Sequence, residues 1–107
     1  MTIEELENII SMRANASPDQ SWTARLLEKG SVKVAEKFGE ESIEAVIEAV
    51  RNDRERLIAE SADVLYHLLV MLHSQSIGIS DVMEELDRRH MQSGIMEKAS
   101  RKQQPGK

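Results

Sequence analysis

The sequence predicts an all-α fold, an antiparallel helical bundle with two long and two or three short helices, on three observations. Apolar residues recur at three- and four-residue spacing, while no segment alternates apolar and polar residues with period two. Threonine is scarce and aromatics are nearly absent, with one Trp, one Tyr and one Phe in 107 residues. Helix-start residues stand just ahead of the periodic stretches.

The first helix opens on Thr2, whose partner three residues on is Glu5, a capping-box spacing. Ile3, Leu6, Ile9 and Ile10 carry its period to about Arg13, and Ser17-Pro18 marks the turn that follows. Ser21 to Leu27 forms a short second helix closed by Gly30. From Ser31 to Val50 an apolar face recurs at Val34, Phe38, Ala45, Val46 and Ala49, the first long helix. Asn52-Asp53 breaks it, and Asn52 with Glu55 repeats the capping-box spacing. The second long helix runs to about Ser76, with Leu57, Val64, Leu65, Leu68, Met71 and Leu72 on one face. Gly78 suits its C-terminus, Ser80 the next N-cap, and Val82 to His90 a last short amphipathic helix. Residues 1–90 are expected to form one all-α domain, and residues 91–107 a polar, basic tail.

Composition bounds the function. The chain has no Cys, which excludes disulfides, thiolate metal sites and thiol nucleophiles. It shows neither a signal-peptide pattern nor an apolar run long enough to span a membrane, so a cytoplasmic protein is expected. A domain this small buries only around two-thirds of the surface its unfolded chain exposes, so oligomerisation is expected. The net charge of −5 is uneven. Met1 to Asp87 holds 18 acids against 8 Lys and Arg, whereas Arg88 to Lys107 holds six Lys and Arg against Glu97 alone. An acidic body disfavours binding to nucleic-acid phosphates.

Several acids stand where a fold alone gains nothing from them. With Val34 at zero and about 100° per residue, Glu41, Glu48 and Glu44 fall at about −20°, −40° and −80°, along one edge of the apolar face. Glu40 and Glu36 rotate further away. On the second long helix, with Leu57 at zero, Glu60, Asp63 and His67 fall at about −60°, −120° and −80°. Each long helix thus carries an acid pair three residues apart, Glu41/Glu44 and Glu60/Asp63, at the margin of its apolar face. Like charges so spaced repel by roughly a few tenths of a kcal/mol even in water, and more near a core.

The short connection makes the two helices antiparallel neighbours. Four carboxylates converging between them would be an oxygen-only site for a hard divalent cation, Mg²⁺ or Mn²⁺. The other account of these acids is solvation, or pairing with Lys33, Lys37, Arg51 and Arg54. Redox iron is disfavoured, because no Glu-x-x-His accompanies either pair. His67 is either an outer neighbour of the metal or a hydrogen-bonded core histidine. Arg25, Lys29, Lys33 and Lys37, each four residues from the next, precede the acids. A cation beside a divalent metal suits a polyphosphate substrate, although surface ion pairing explains such lysines equally. Gly39 costs its helix about 1 kcal/mol relative to Ala. It admits a ligand or partner helix, or else marks an interruption.

These residues are where the chain resembles a known group. Glu40-Glu41-Ser42-Ile43-Glu44 and Glu60-Ser61-Ala62-Asp63 resemble the Glu-Glu-x-x-Glu and Glu-x-x-Asp signature of the MazG-like all-α nucleoside triphosphate pyrophosphatases. Ser21 to Leu26, Lys29-Gly30, Lys33 to Glu41, Glu60 to Val70 with its Asp63 to His67 run, Ser93 to Ile95 and Glu97-Lys98 are similar, more narrowly, to the phosphoribosyl-ATP pyrophosphohydrolase family of histidine biosynthesis. Ser42 departs from the family's usual Ala, and Trp22 from another common aromatic.

The resemblance implies Mg²⁺-dependent hydrolysis of phosphoribosyl-ATP to phosphoribosyl-AMP and pyrophosphate, by a homodimer. It implies metal binding by Glu41, Glu44, Glu60 and Asp63, with Glu40, Glu41 and Glu44 as catalytic acids. Arg25, Lys29, Lys33 and Lys37 would contact phosphate. Some family members carry a fused, zinc-binding cyclohydrolase, and this cysteine-free chain is expected to be the stand-alone form. The rival readings are a house-cleaning pyrophosphatase of the same fold and a non-enzymatic helical dimerisation module.

Overall fold

The computed structural model describes residues 1–91, and all regular structure among them is helical. The basic tail expected beyond that point lies outside the described residues. The helices are α1 (Ile3–Ala14), α2 (Trp22–Glu28), α3 (Ser31–Val50), α4 (Arg54–Ser74) and α5 (Ile79–His90).

Local chemistry sets most boundaries. Thr2 Oγ1 accepts from Glu5 N, and Glu5 Oε1 accepts from Thr2 N, each at 3.1 Å, the expected capping box. Ser21 Oγ caps α2 by accepting from Ala24 N at 3.1 Å, and it donates to the Arg13 carbonyl at 2.8 Å. One hydroxyl therefore ties the end of α1 to the start of α2. Gly30 closes α2 and opens α3 at a φ of 100°, where a side chain would be strained. Through Gly39, α3 runs unbroken, so no interruption occurs there, and a Cβ at Gly39 would meet nothing within 4 Å.

Two boundaries differ from the sequence reading. Asn52 does not cap α4: it sits at a φ of 59°, its N–H bonding to Ala49 O while Asp53 N–H bonds to Glu48 O. That pair of bonds is a Schellman ending for α3. Asp53 Oδ1, one residue later, caps α4 by accepting from Arg56 N at 3.1 Å. The same ending closes α4 at Ser76 (φ 59°), with Ile77 N–H bonded to Leu72 O. Gly78 is consequently the N-cap of α5, and Ser80 lies inside that helix. The α5 N-terminus also receives Glu7 from α1, whose Oε2 accepts from Ile79 N at 2.6 Å.

The long antiparallel hairpin of α3 and α4 is the frame; α1 packs on α4, α2 on both hairpin helices and α5 on α1, with the shared core at the C-terminal half of α4. Ile10, Leu26, Val34, Leu69, Val70 and Ile79 form the core there. Leu69 and Val70 lie outside the stripe read from α4, because helices cover that half from several sides. Val46 and Ala49, expected on the buried face of α3, are exposed.

Candidate metal centre

Midway along the hairpin, α3 and α4 bring carboxylates together. One oxygen each from Glu41, Glu60 and Asp63 lies within 4.8 Å of the others. Glu41 is only 7% exposed, and Glu60 Oε2 is buried without a hydrogen-bond partner among the described residues. An ionised, unpartnered oxygen in such a place is costly unless a cation faces it. Burial raises the Glu60 carboxyl above the ordinary carboxylate range, and Glu44, by hydrogen bond and charge, then Asp63 and Glu41 raise it further. The donors are all hard oxygens contributed by two helices, a set suited to a hard divalent cation such as Mg²⁺ or Mn²⁺.

Glu44 is exposed and joins the group through Glu60. Glu40 stands outside it, exposed, 3.8 Å from Lys37 Nζ. Glu48, placed by the helical count on the same edge, is buried one turn nearer the hairpin turn, 3.8 Å from both Arg51 and Arg56.

The expected cations divide. Lys37 Nζ lies 3.2 Å from Glu41 Oε1, and that hydrogen bond raises the ammonium pKa, with the charges of Glu41, Glu40 and Glu44 adding to it against the opposing effect of burial. Lys33 pairs instead with Glu36 at 3.1 Å, and Arg25 Nε donates to the Pro18 carbonyl at 3.2 Å. Lys29 is the exposed C-cap of α2.

His67 is 6% exposed, and its Nδ1 donates to the Asp63 carbonyl at 2.7 Å. That bond leaves Nε2 as the acceptor, and it is buried without a partner among the described residues. The ring meets Trp22 edge-on at 5.4 Å and Tyr66 at 5.7 Å. Tyr66 is anchored in turn, its hydroxyl 2.5 Å from Thr23 Oγ1 and 3.3 Å from Arg13. This aromatic buttress was not foreseen, since the three rings come from α2 and α4 and no spacing within one helix signals their meeting.

A family model described as phosphoribosyl-ATP pyrophosphohydrolase matches residues 3–90. The phosphoribosyl-ATP pyrophosphatase of Allorhizobium ampelinum is 61% identical over 100 residues, covering 94% of this chain and 96% of its own. That of Paracoccus denitrificans is 59% identical over 100 residues, covering 94% and 93%. The enzyme of the same name from Rhizobium meliloti is 51% identical over 100 residues, covering 94% of each chain.

Proposed function

The chain belongs to the phosphoribosyl-ATP pyrophosphohydrolase family, a family of hydrolases, and from that premise we propose that it cleaves phosphoribosyl-ATP to phosphoribosyl-AMP and pyrophosphate, the second step of histidine biosynthesis. The observation that carries the reading is the trio Glu41, Glu60 and Asp63, drawn from two helices into one partly buried, cation-deficient site. Those three with Glu44 hold the divalent cation, which when bound withdraws charge from the α,β-phosphoanhydride. Lys37 exchanges Glu41 for a phosphate oxygen, and Arg25, Lys29 and Lys33 meet the remaining phosphates from the exposed corner between α2 and α3. Glu40 stands beside the metal set without belonging to it, and takes the proton from the attacking water. The water oxygen bonds to one phosphorus of the α,β-anhydride as the bridging P–O bond breaks, and pyrophosphate leaves. The helical stretch 1–90 is the catalytic unit, acting in the cytoplasm without nucleic acid.

The same reading includes a second copy of the chain. Ile43, Val46, Ile47 and Val50 of α3 with Ile58 and Leu65 of α4 are exposed, Val50 by 77% and Val46 by 61%. Two hairpins laid face to face would bury this apolar surface in a four-helix core.

The deciding experiment is pyrophosphate release from phosphoribosyl-ATP with and without Mg²⁺, set against dUTP, dCTP and ITP. Release from phosphoribosyl-ATP that requires Mg²⁺ is expected, together with its loss in Glu41→Gln and Asp63→Asn while both variants keep their helical circular dichroism. A preference for a simple triphosphate would overturn the substrate, and near-normal turnover in both variants would overturn the site.

A further inference from the structure

Trp22 stands half-exposed beside buried neighbours: it is 46% exposed, whereas Ser21, Thr23, Ala24 and Leu26 are each 7% or less. A large aromatic surface left in water at the start of a helix whose Thr23, Ala24 and Leu26 are buried costs apolar hydration. Its orientation is nevertheless set. The buried His67 ring meets it at 82°, and His67 is itself held by the Asp63 carbonyl. Lys37 Nζ lies over the ring, 6.0 Å from its centre, at the outer limit of a cation–π contact. The same ammonium is 3.2 Å from Glu41, so one side chain touches both the ring and the carboxylates.

A braced, exposed π-face joined by one lysine to a phosphate-directed metal centre has the layout of a nucleotide site, a base at one end and phosphates at the other. We propose that Trp22 is the stacking platform for the purine of the substrate. The inference rests on the nucleotide-hydrolase reading and adds the base subsite to it. Lys37, one-third exposed, is loosely placed over the ring, and its ammonium leaves that face as it exchanges Glu41 for a substrate phosphate oxygen. The ring then offers a flat, apolar surface that accepts a purine without reading its edge. Affinity for the base therefore comes from stacking, and orientation from the phosphate end.

Trp22 is the sole tryptophan, so its fluorescence reports the site directly. The test titrates the unaltered protein in Mg²⁺ with phosphoribosyl-AMP, which keeps the base, and in parallel with inorganic pyrophosphate, which lacks one. Quenching that saturates with the nucleotide and is absent with pyrophosphate is expected. In steady-state turnover, Trp22→Ala raises KM for phosphoribosyl-ATP by on the order of 10- to 100-fold with a smaller effect on kcat, and Trp22→Phe restores most of the affinity.

No nucleotide quenching, equal quenching by pyrophosphate, or an unchanged KM in folded Trp22→Ala overturns the inference. Emission that follows protein concentration and ignores nucleotide also overturns it, assigning the ring to a contact between copies. The parent reading fails separately, as absence of pyrophosphate release from phosphoribosyl-ATP by the unaltered protein.

Discussion

Glu41, Glu44 and Glu48 occupy one edge of the same helix, yet they have three different environments. Glu41 is buried and ion-paired with Lys37, Glu44 is exposed beside Glu60, and Glu48 is buried between two arginines. A helical count gives angle and not depth, so it found the sector and could not rank its members. The raised carboxyl of Glu60 makes a residue-scale prediction with a definite sign. An acid whose folded pKa exceeds its unfolded value of 4.5 contributes stability that is complete below pH 4.5 and lost as pH rises through the folded value. Metal-free protein is therefore expected to melt higher near pH 5 than near pH 8. In Glu60→Gln that slope flattens, the pH 8 melting temperature rises, and the stabilisation by Mg²⁺ shrinks. Thermal unfolding with and without chelator checks this, and a Glu60→Gln variant as pH-sensitive as the parent would contradict it.

At the scale of elements, the helices themselves were legible because each depends on neighbours in sequence: Thr2 with Glu5, Ser21 with Ala24, and the run from Ser31 to Val50. The caps at Asn52 and Gly78 were misassigned for one reason. A residue that can initiate a helix can also terminate one, and the choice depends on which carbonyls of the last turn are bonded from beyond the helix, as those of Glu48 and Leu72 are. Ser76 holds a left-handed conformation usually taken by glycine. Ser76→Gly is expected to stabilise the fold by about 0.5–1 kcal/mol, a rise of a few degrees in melting temperature. A fall in melting temperature would mean that the serine side chain contributes more than its backbone costs.

At the scale of the whole molecule, Ile43, Val46, Ile47 and Val50 of α3 and Ile58 and Leu65 of α4 leave apolar surface of the hairpin exposed. If a second copy covers it, the unaltered protein elutes with twice the chain mass and Val46→Glu elutes as a monomer, as light scattering after size exclusion would read. A parent that remains monomeric at micromolar concentration would remove the dimer from the reading. By itself the sequence determined the all-α class, the two long helices with short ones beside them, and the helix edges from which Glu41, Glu60 and Asp63 meet, because helical periodicity and short connections are local properties. Tertiary structure alone decided which side chains share a volume: Leu69 and Val70 in the core, Val46 outside it, and Trp22 between His67 of α4 and Lys37 of α3. The physical reason is that burial belongs to the packing of several helices on one another, and no period within one strip of sequence records which neighbours will cover it.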